Sequence, residues 1–279
     1  MRQKGDTDMK KSSTDTLYSF WSAALLICLV LAVFAVIFAS VLGNGGAKTA
    51  AAVTPTPTAA VPTYTGGSGT STSTATLPQT ADAGAAYVDT IFFLGDKSLS
   101  ALKDDSMLTG ANASKQVWVP ADGRLPLQSI DTTTYHSPVT GNNAPPADIA
   151  LVNKPAVMLI YPSADNGNMV TREELIESYS ALVSAIQEQS PDTKIILCSL
   201  TPLAASYQYE DLTNEKIEEI NTWIAAAAEG AGVKYLNAYD GLLNAQGYLS
   251  EEFHDGDAMH LNAEGMAVWL DYVRTHAYL

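Results

Sequence analysis

The feature that most constrains the fold is an alternation of short apolar segments with longer amphipathic ones, from about residue 86 to the C-terminus. Four apolar runs have the length and composition of buried strands: residues 90–94, 156–161, 194–200 and 233–236. Between them, apolar side chains such as Leu175, Tyr179 and Leu182 repeat every three or four residues, the period of an amphipathic helix. Apolar strands that alternate with helices predict an α/β fold, a three-layer α/β/α sandwich around a mainly parallel sheet.

Helix starts are marked by capping residues. Thr171 is followed three residues later by Glu174, the spacing of a capping box, and Thr213 precedes a second periodic segment. Asn262 precedes the last one. These positions predict three helices whose N-termini are set by the local sequence.

The N-terminal part of the chain predicts a membrane anchor and a stalk. Residues 20–42 carry no charge and are almost all apolar, which is long enough for one transmembrane helix. Four basic residues, Arg2, Lys4, Lys10 and Lys11, precede this run, and only Lys48 follows it closely, so the positive-inside rule makes residues 1–19 a cytoplasmic tail and places the rest outside. A cleaved signal peptide is the alternative. Residues 43–85 are rich in Ala, Thr, Pro and Ser, which favours a disordered linker ahead of a domain at 86–279.

Charge and cysteine content exclude several functions. The net charge is −15, and an acidic globule repels phosphate backbones, so we expect no nucleic-acid partner. Cys28 and Cys198 have no metal-ligand neighbours at CxxC spacing, and both are expected to be small apolar fillers. We therefore expect neither a metal site nor a cofactor. An extracytoplasmic domain without disulfides favours a bacterial plasma membrane.

Residues able to do chemistry follow the predicted strands. Ligands of an open α/β sheet bind at the carboxyl ends of its strands. There the chain has Asp96-Lys97-Ser98 after the first run and Ser163 to Asn166 after the second. Near the C-terminus, Asp257 precedes His260 by three residues, so the carboxylate can hold one imidazole nitrogen while the other faces a cleft.

This arrangement resembles the SGNH (GDSL-type) hydrolase family over residues 86–279. The resemblance rests on Phe93-Leu94-Gly95-Asp96 after the first strand and on the run from Asp257 to Gly265 that opens the last helix. It implies His260 as general base and Asp257 as its orienter. It implies Asn166 as an oxyanion donor, although Asp165-Asn166-Gly167 is equally typical of a plain turn.

The sequence departs from the family at the nucleophile, where Lys97 replaces the serine that follows Gly-Asp. Ser98, one residue later, is the candidate nucleophile, and Lys97 is expected to pair with Asp257 or Asp96 or to bind an anionic group. The family's second oxyanion donor is a glycine, for which Gly110 is the candidate.

The resulting hypothesis is a membrane-anchored, extracytoplasmic hydrolase of the esterase type, single-pass in the plasma membrane. The resemblance implies acyl or acetyl esters as substrates, including acylated cell-envelope glycans. The alternative is a catalytically inactive pseudo-hydrolase that binds a glycan or another envelope partner in the former active-site cleft. The sequence indicates no oligomeric state.

Overall fold

The computed structural model describes residues 73–104, 106–209 and 211–279. The predicted cytoplasmic tail at 1–19, the predicted transmembrane helix at 20–42 and most of the predicted linker lie outside these residues. Among the helices of the described part, none has the length and apolar character needed to cross a membrane.

The centre of the domain is a parallel β-sheet. The strands of the described residues are β1 (Ile91–Gly95), β2 (Val117–Trp118), β3 (Tyr135–His136), β4 (Asn143–Ala144), β5 (Val157–Tyr161), β6 (Lys194–Cys198) and β7 (Lys234–Leu236). Five of them form the parallel sheet in the order β2-β1-β5-β6-β7, and β3 and β4 form a short antiparallel pair. The four predicted strands correspond to β1, β5, β6 and β7, so the predicted parallel sheet is confirmed.

The sheet is buried on both faces because successive side chains of a strand point to opposite sides. In β1, Phe92 and Leu94 belong to one apolar cluster, and Ile91 and Phe93 belong to the other. The central strands are apolar along their whole length, because each side chain meets a layer of helices on its own side of the sheet.

Helices cover both faces, which gives the predicted three-layer architecture. Their caps follow the sequence: Thr171 and Glu174 form the complete capping box, and the side chain of Asn262 accepts a hydrogen bond from the Gly265 amide. The helices are α1 (Gly84–Val88), α2 (Ser100–Asp104), α3 (Pro146–Asn153), α4 (Arg172–Gln189), α5 (Asn214–Gly230), α6 (Tyr239–Leu242) and α7 (Ala263–Thr275).

Residues 73–85, which the sequence places in the linker, pack onto the domain. Ala75 and Leu77 are buried in the two apolar clusters. The Leu77 amide donates to the Tyr235 carbonyl at 2.8 Å, and the Tyr235 amide donates to Ala75 at 3.0 Å, which extends the sheet beyond β7. Residues 73–85 are therefore part of the packed region, ahead of the predicted boundary of 86. Two apolar side chains in a polar, Ala/Thr-rich stretch were too weak a pattern to indicate it.

Candidate active site

The candidate site lies at the carboxyl edge of the sheet, between β1 and β5. The chain leaves β1 toward β2 on one side and returns to β5 on the other, so a crevice opens between the two strand ends. Asp96, Lys97 and Ser98 follow β1, and Asp165 follows β5. The loop that carries Asp257 and His260 packs against the segment after β1 and the segment after β5.

Asp257 and His260 form the hydrogen bond that their spacing predicts. His260 Nδ1 lies 2.7 Å from Asp257 Oδ2, while the backbone amides of His260 and Met259 donate to Asp257 Oδ1 at 2.8 and 3.0 Å. These donors fix the carboxylate before α7 begins. Burial alone would raise the pKa of Asp257, but these hydrogen bonds and the charge of His260 hold it well below its usual range.

The other imidazole nitrogen faces acids and not a hydroxyl. His260 Nε2 lies 3.7 Å from Asp165 Oδ2 and 3.8 Å from Asp96 Oδ2, too far for hydrogen bonds, and it has no hydrogen-bond partner among the described residues. Burial opposes a charge on the ring. The neighbouring carboxylates of Asp165, Asp257 and Asp96 outweigh burial and raise the pKa of His260 to about 10. At neutral pH this histidine is an imidazolium, which cannot accept a proton as a general base.

Asp96 and Asp165 differ in their own titration. Burial raises the pKa of Asp96 to about 6, although the charge of His260 and the Ser98 amide oppose the rise. The pKa of Asp165 is lowered by His260, against partial burial, and the Ser163 hydroxyl donates to it at 2.9 Å. Asp165 therefore supplies a carboxylate at neutral pH.

Lys97 points back into the site and bridges two acids. Its Nζ lies 2.7 Å from Asp255 Oδ2 and 3.1 Å from Asp257 Oδ2, the same oxygen that binds His260. Partial burial acts to lower the pKa of the lysine, but its hydrogen bonds to the two carboxylates raise it. Lys97 is therefore an ammonium ion and not a nucleophile. The predicted pairing with Asp257 is present, and Asp255 takes the place expected for Asp96.

Ser98 is buried and is not bonded to His260. Its hydroxyl has no hydrogen-bond partner among the described residues, and its amide donates to Asp96 Oδ1 at 2.8 Å. A 3-10 turn at Lys97–Leu99 follows Asp96 directly. In such a tight turn, moving one residue along the chain redirects the side chain, and Ser98 packs inward where a nucleophile would have to face the base.

The expected oxyanion donors are not assembled. Asn166 is exposed in a left-handed turn with φ of 57°, and its side chain makes no hydrogen bond within the described part of the chain. Gly110 lies at the opposite edge of the sheet, against Asp89. Asn166 thus behaves as the turn residue of the alternative interpretation.

Gly123, which follows β2, is the glycine that lies beside Lys97. A Cβ there would come within 3.1 Å of the Lys97 Cβ. Its amide donates to Pro120 at 2.9 Å, and its carbonyl accepts the Lys97 amide at 2.8 Å. The amides of Lys97 and Gly123 are therefore already used within the protein, as is the Ser98 amide.

The sequence analysis did not predict that Asp96 and Asp165 lie next to His260. It also did not place Asp255, Gly123 or Arg124 in the site. Arg124 Nε lies 3.7 Å from Asp165 Oδ2 on an exposed side chain. The Asp122-Gly123 turn after a short strand was the available signal for Gly123. Within the residues that the structure describes, no group of three or more His, Cys, Asp or Glu side chains has a metal-binding arrangement.

The fold and the Asp257–His260 pair define an α/β protein of the acyl-hydrolase type. The model of the GDSL-like lipase/acylhydrolase family matches residues 129–268, half of the chain, and the chain belongs to this family. The match includes Asp165, Asp257 and His260 and begins after Lys97. The family acts on ester or acylated substrates. No curated protein matches the chain.

The solved structures to which this chain is similar come from several organisms. A Streptococcus pneumonia protein named for platelet activating factor shares 19% identity with a TM-score of 0.47, over 66% of this chain and 82% of its own. The periplasmic domain of a Salmonella ser. Paratyphi A lipopolysaccharide acetyltransferase shares 20%, with a TM-score of 0.42 over 66% and 81%. A carbohydrate esterase family 3 protein from Talaromyces cellulolyticus shares 16%, with a TM-score of 0.42 over 66% and 93%.

Proposed function

We propose that this chain is a membrane-anchored, extracytoplasmic member of the acylhydrolase family whose cleft binds an acylated glycan or a similar envelope ester without hydrolysing it. One observation carries the proposal. Lys97 stands at the nucleophile position and bonds to Asp257, the acid that holds His260. Lys97, at the position of the nucleophile, instead pairs with the carboxylate of Asp257, which would orient His260 as the base.

Two further features support the loss of hydrolysis. A serine mechanism needs a neutral imidazole in hydrogen-bond reach of a hydroxyl. Here His260 is held as an imidazolium, and the Ser98 hydroxyl is buried without a partner. A site with an ammonium, an imidazolium and several carboxylates still offers donors and acceptors for the hydroxyl and acyl oxygens of a ligand. The anchor and the outside location rest on the uncharged run at 20–42 and its basic flank.

A second candidate is an esterase with Ser98 as nucleophile. The observation in its favour is that Ser98 Oγ and His260 Nε2 are both buried and both lack hydrogen-bond partners among the described residues. A rearrangement of the turn at Lys97–Leu99 that brought them together would satisfy both groups.

Hydrolysis of p-nitrophenyl acetate by the full-length chain separates the two candidates. We expect the wild type to be no faster than a His260→Ala variant, which serves as the matched blank. The binding proposal fails if the wild type is faster than this blank and Ser98→Ala abolishes the difference. That result would establish the esterase.

A further inference from the structure

A pair of tyrosines lies on the loop between β6 and α5, beside the candidate site. The rings of Tyr207 and Tyr209 are 5.5 Å apart at an interplanar angle of 61°, an edge-to-face contact. Tyr209 is 72% exposed, whereas Tyr207 is half-buried and packs against both apolar clusters. The pair therefore presents aromatic ring surface to solvent next to the candidate site, and such surface can pack against an apolar face of a ligand.

The loop is fastened to the segment that carries the acid and the histidine. The Ala204 amide donates to Ala258 at 2.9 Å. The amide and hydroxyl of Ser206 both donate to the Glu251 carboxylate, at 3.0 and 2.7 Å. These bonds place the loop that carries Tyr207 next to the segment with Asp257 and His260. The loop is therefore held at Ala204 and Ser206, directly before Tyr207, without any ligand, which limits the entropy lost on binding.

We infer that Tyr207 and Tyr209 form a stacking subsite for an uncharged sugar ring of the ligand, an inference that rests on the proposed binding function. One face of a pyranose presents C–H groups that pack on an aromatic ring, while its hydroxyls need polar partners. The site supplies both: the tyrosine rings on the loop between β6 and α5, and polar partners in the carboxylates of Asp165 and Asp257 and the Lys97 ammonium.

Charge selects the kind of glycan. The chain carries a net charge of −15, and the carboxylates of Asp255 and Asp257 at the mouth of the cleft are partly exposed. This field repels polyanionic glycans and does not act on uncharged ones. The subsite is therefore for a neutral sugar.

Calorimetric titration of the full-length chain with N-acetylchitotetraose tests the inference, because this tetramer is uncharged and carries acyl groups. Tyr209→Ala and Tyr207→Ala should each weaken binding about 5- to 10-fold, the loss of one aromatic contact. Tyr209→Phe keeps the ring and should bind like the wild type. Tyr278→Ala is the matched control, since Tyr278 lies over Lys194 at the amino end of β6. Tetragalacturonate, an anionic tetramer, should bind at least about 10-fold more weakly.

Unchanged binding by Tyr209→Ala and Tyr207→Ala would overturn the stacking subsite. The Asp257→Asn variant then tests whether the tetramer binds in the cleft at all. If Asp257→Asn weakens binding while the tyrosine variants do not, the cleft binds the ligand without an aromatic subsite, and the proposed function stands. If none of the three variants changes binding, the tetramer binds elsewhere and both proposals fail. A wild type that does not bind the tetramer at millimolar concentration also overturns the subsite, and the ester assay judges the proposed function separately.

Discussion

The charge of His260 is the property on which the loss of hydrolysis depends, and Asp165→Asn tests it. Asp165 Oδ2 is 3.7 Å from His260 Nε2, and its side chain is 14% exposed. At an effective dielectric constant of about 20, a unit charge at this distance contributes about 4 kcal/mol, enough to move a pKa by about 3. Asp96 and Asp257 remain in the variant, and solvent reaches Asp165. We therefore expect the pKa of His260 to fall by about 1 to 2 from its value of about 10.

The measurement is a pH titration of imidazole Cε1–H resonances by NMR. The chain has four histidines, so a His260→Gln variant identifies the signal of interest. Asp271→Asn is the matched control, because this exposed acid pairs with Arg274 on α7 and lies outside the site. The reasoning is refuted if His260 of the wild type titrates near 6.5, or if Asp165→Asn shifts it no more than Asp271→Asn does.

The free energy of unfolding should fall as pH rises from about 7 to about 10. The raised pKa of His260 stabilises the fold fully below the pKa of the unfolded state, and this stabilisation is lost as pH rises through the pKa of the folded state. Urea unfolding at both pH values should show a smaller fall for His260→Gln than for the wild type, and an equal fall would contradict this prediction. Leu77→Ala should lower the free energy of unfolding by about 2 to 4 kcal/mol in the same assay, because Leu77 is buried. A change near zero would show that residues 73–85 do not contribute to the stability of the domain. Gly265→Ala should destabilise more than an exposed-site Gly230→Ala, because its Cβ would lie 2.5 Å from the Phe253 carbonyl oxygen. Protease added to intact cells should remove the C-terminal domain, and protection until lysis would disprove the proposed topology.

The single substitution Lys97→Ser is not expected to restore a hydrolase by itself. It would supply the hydroxyl and release Asp257, but His260 would keep its proton because Asp96 and Asp165 face Nε2. A histidine with its pKa raised well above neutrality is mostly protonated at pH 7, so it is a poor general base there. The structure therefore places two separate obstacles on the reaction, one at the nucleophile and one at the base.

The sequence by itself determined the features that depend on neighbours along the chain. Apolar runs and helical periodicity predicted the parallel sheet and its two helical layers. Thr171 and Asn262 predicted helix starts, because a cap reaches only two or three residues ahead. The Asp257–His260 hydrogen bond belongs to the same class, since its partners are three positions apart in one loop.

Only the tertiary structure decided what those residues face. Lys97 and Asp257 are 160 residues apart, and no local pattern fixes the direction of a long side chain across a cleft. Asp165 and not Asn166 faces His260, because the turn after β5 puts Asn166 in a left-handed, exposed position. A crevice at the edge of a parallel sheet is built from loops distant in sequence, so its charge balance, and with it the protonation of His260, arises only when those loops are packed together.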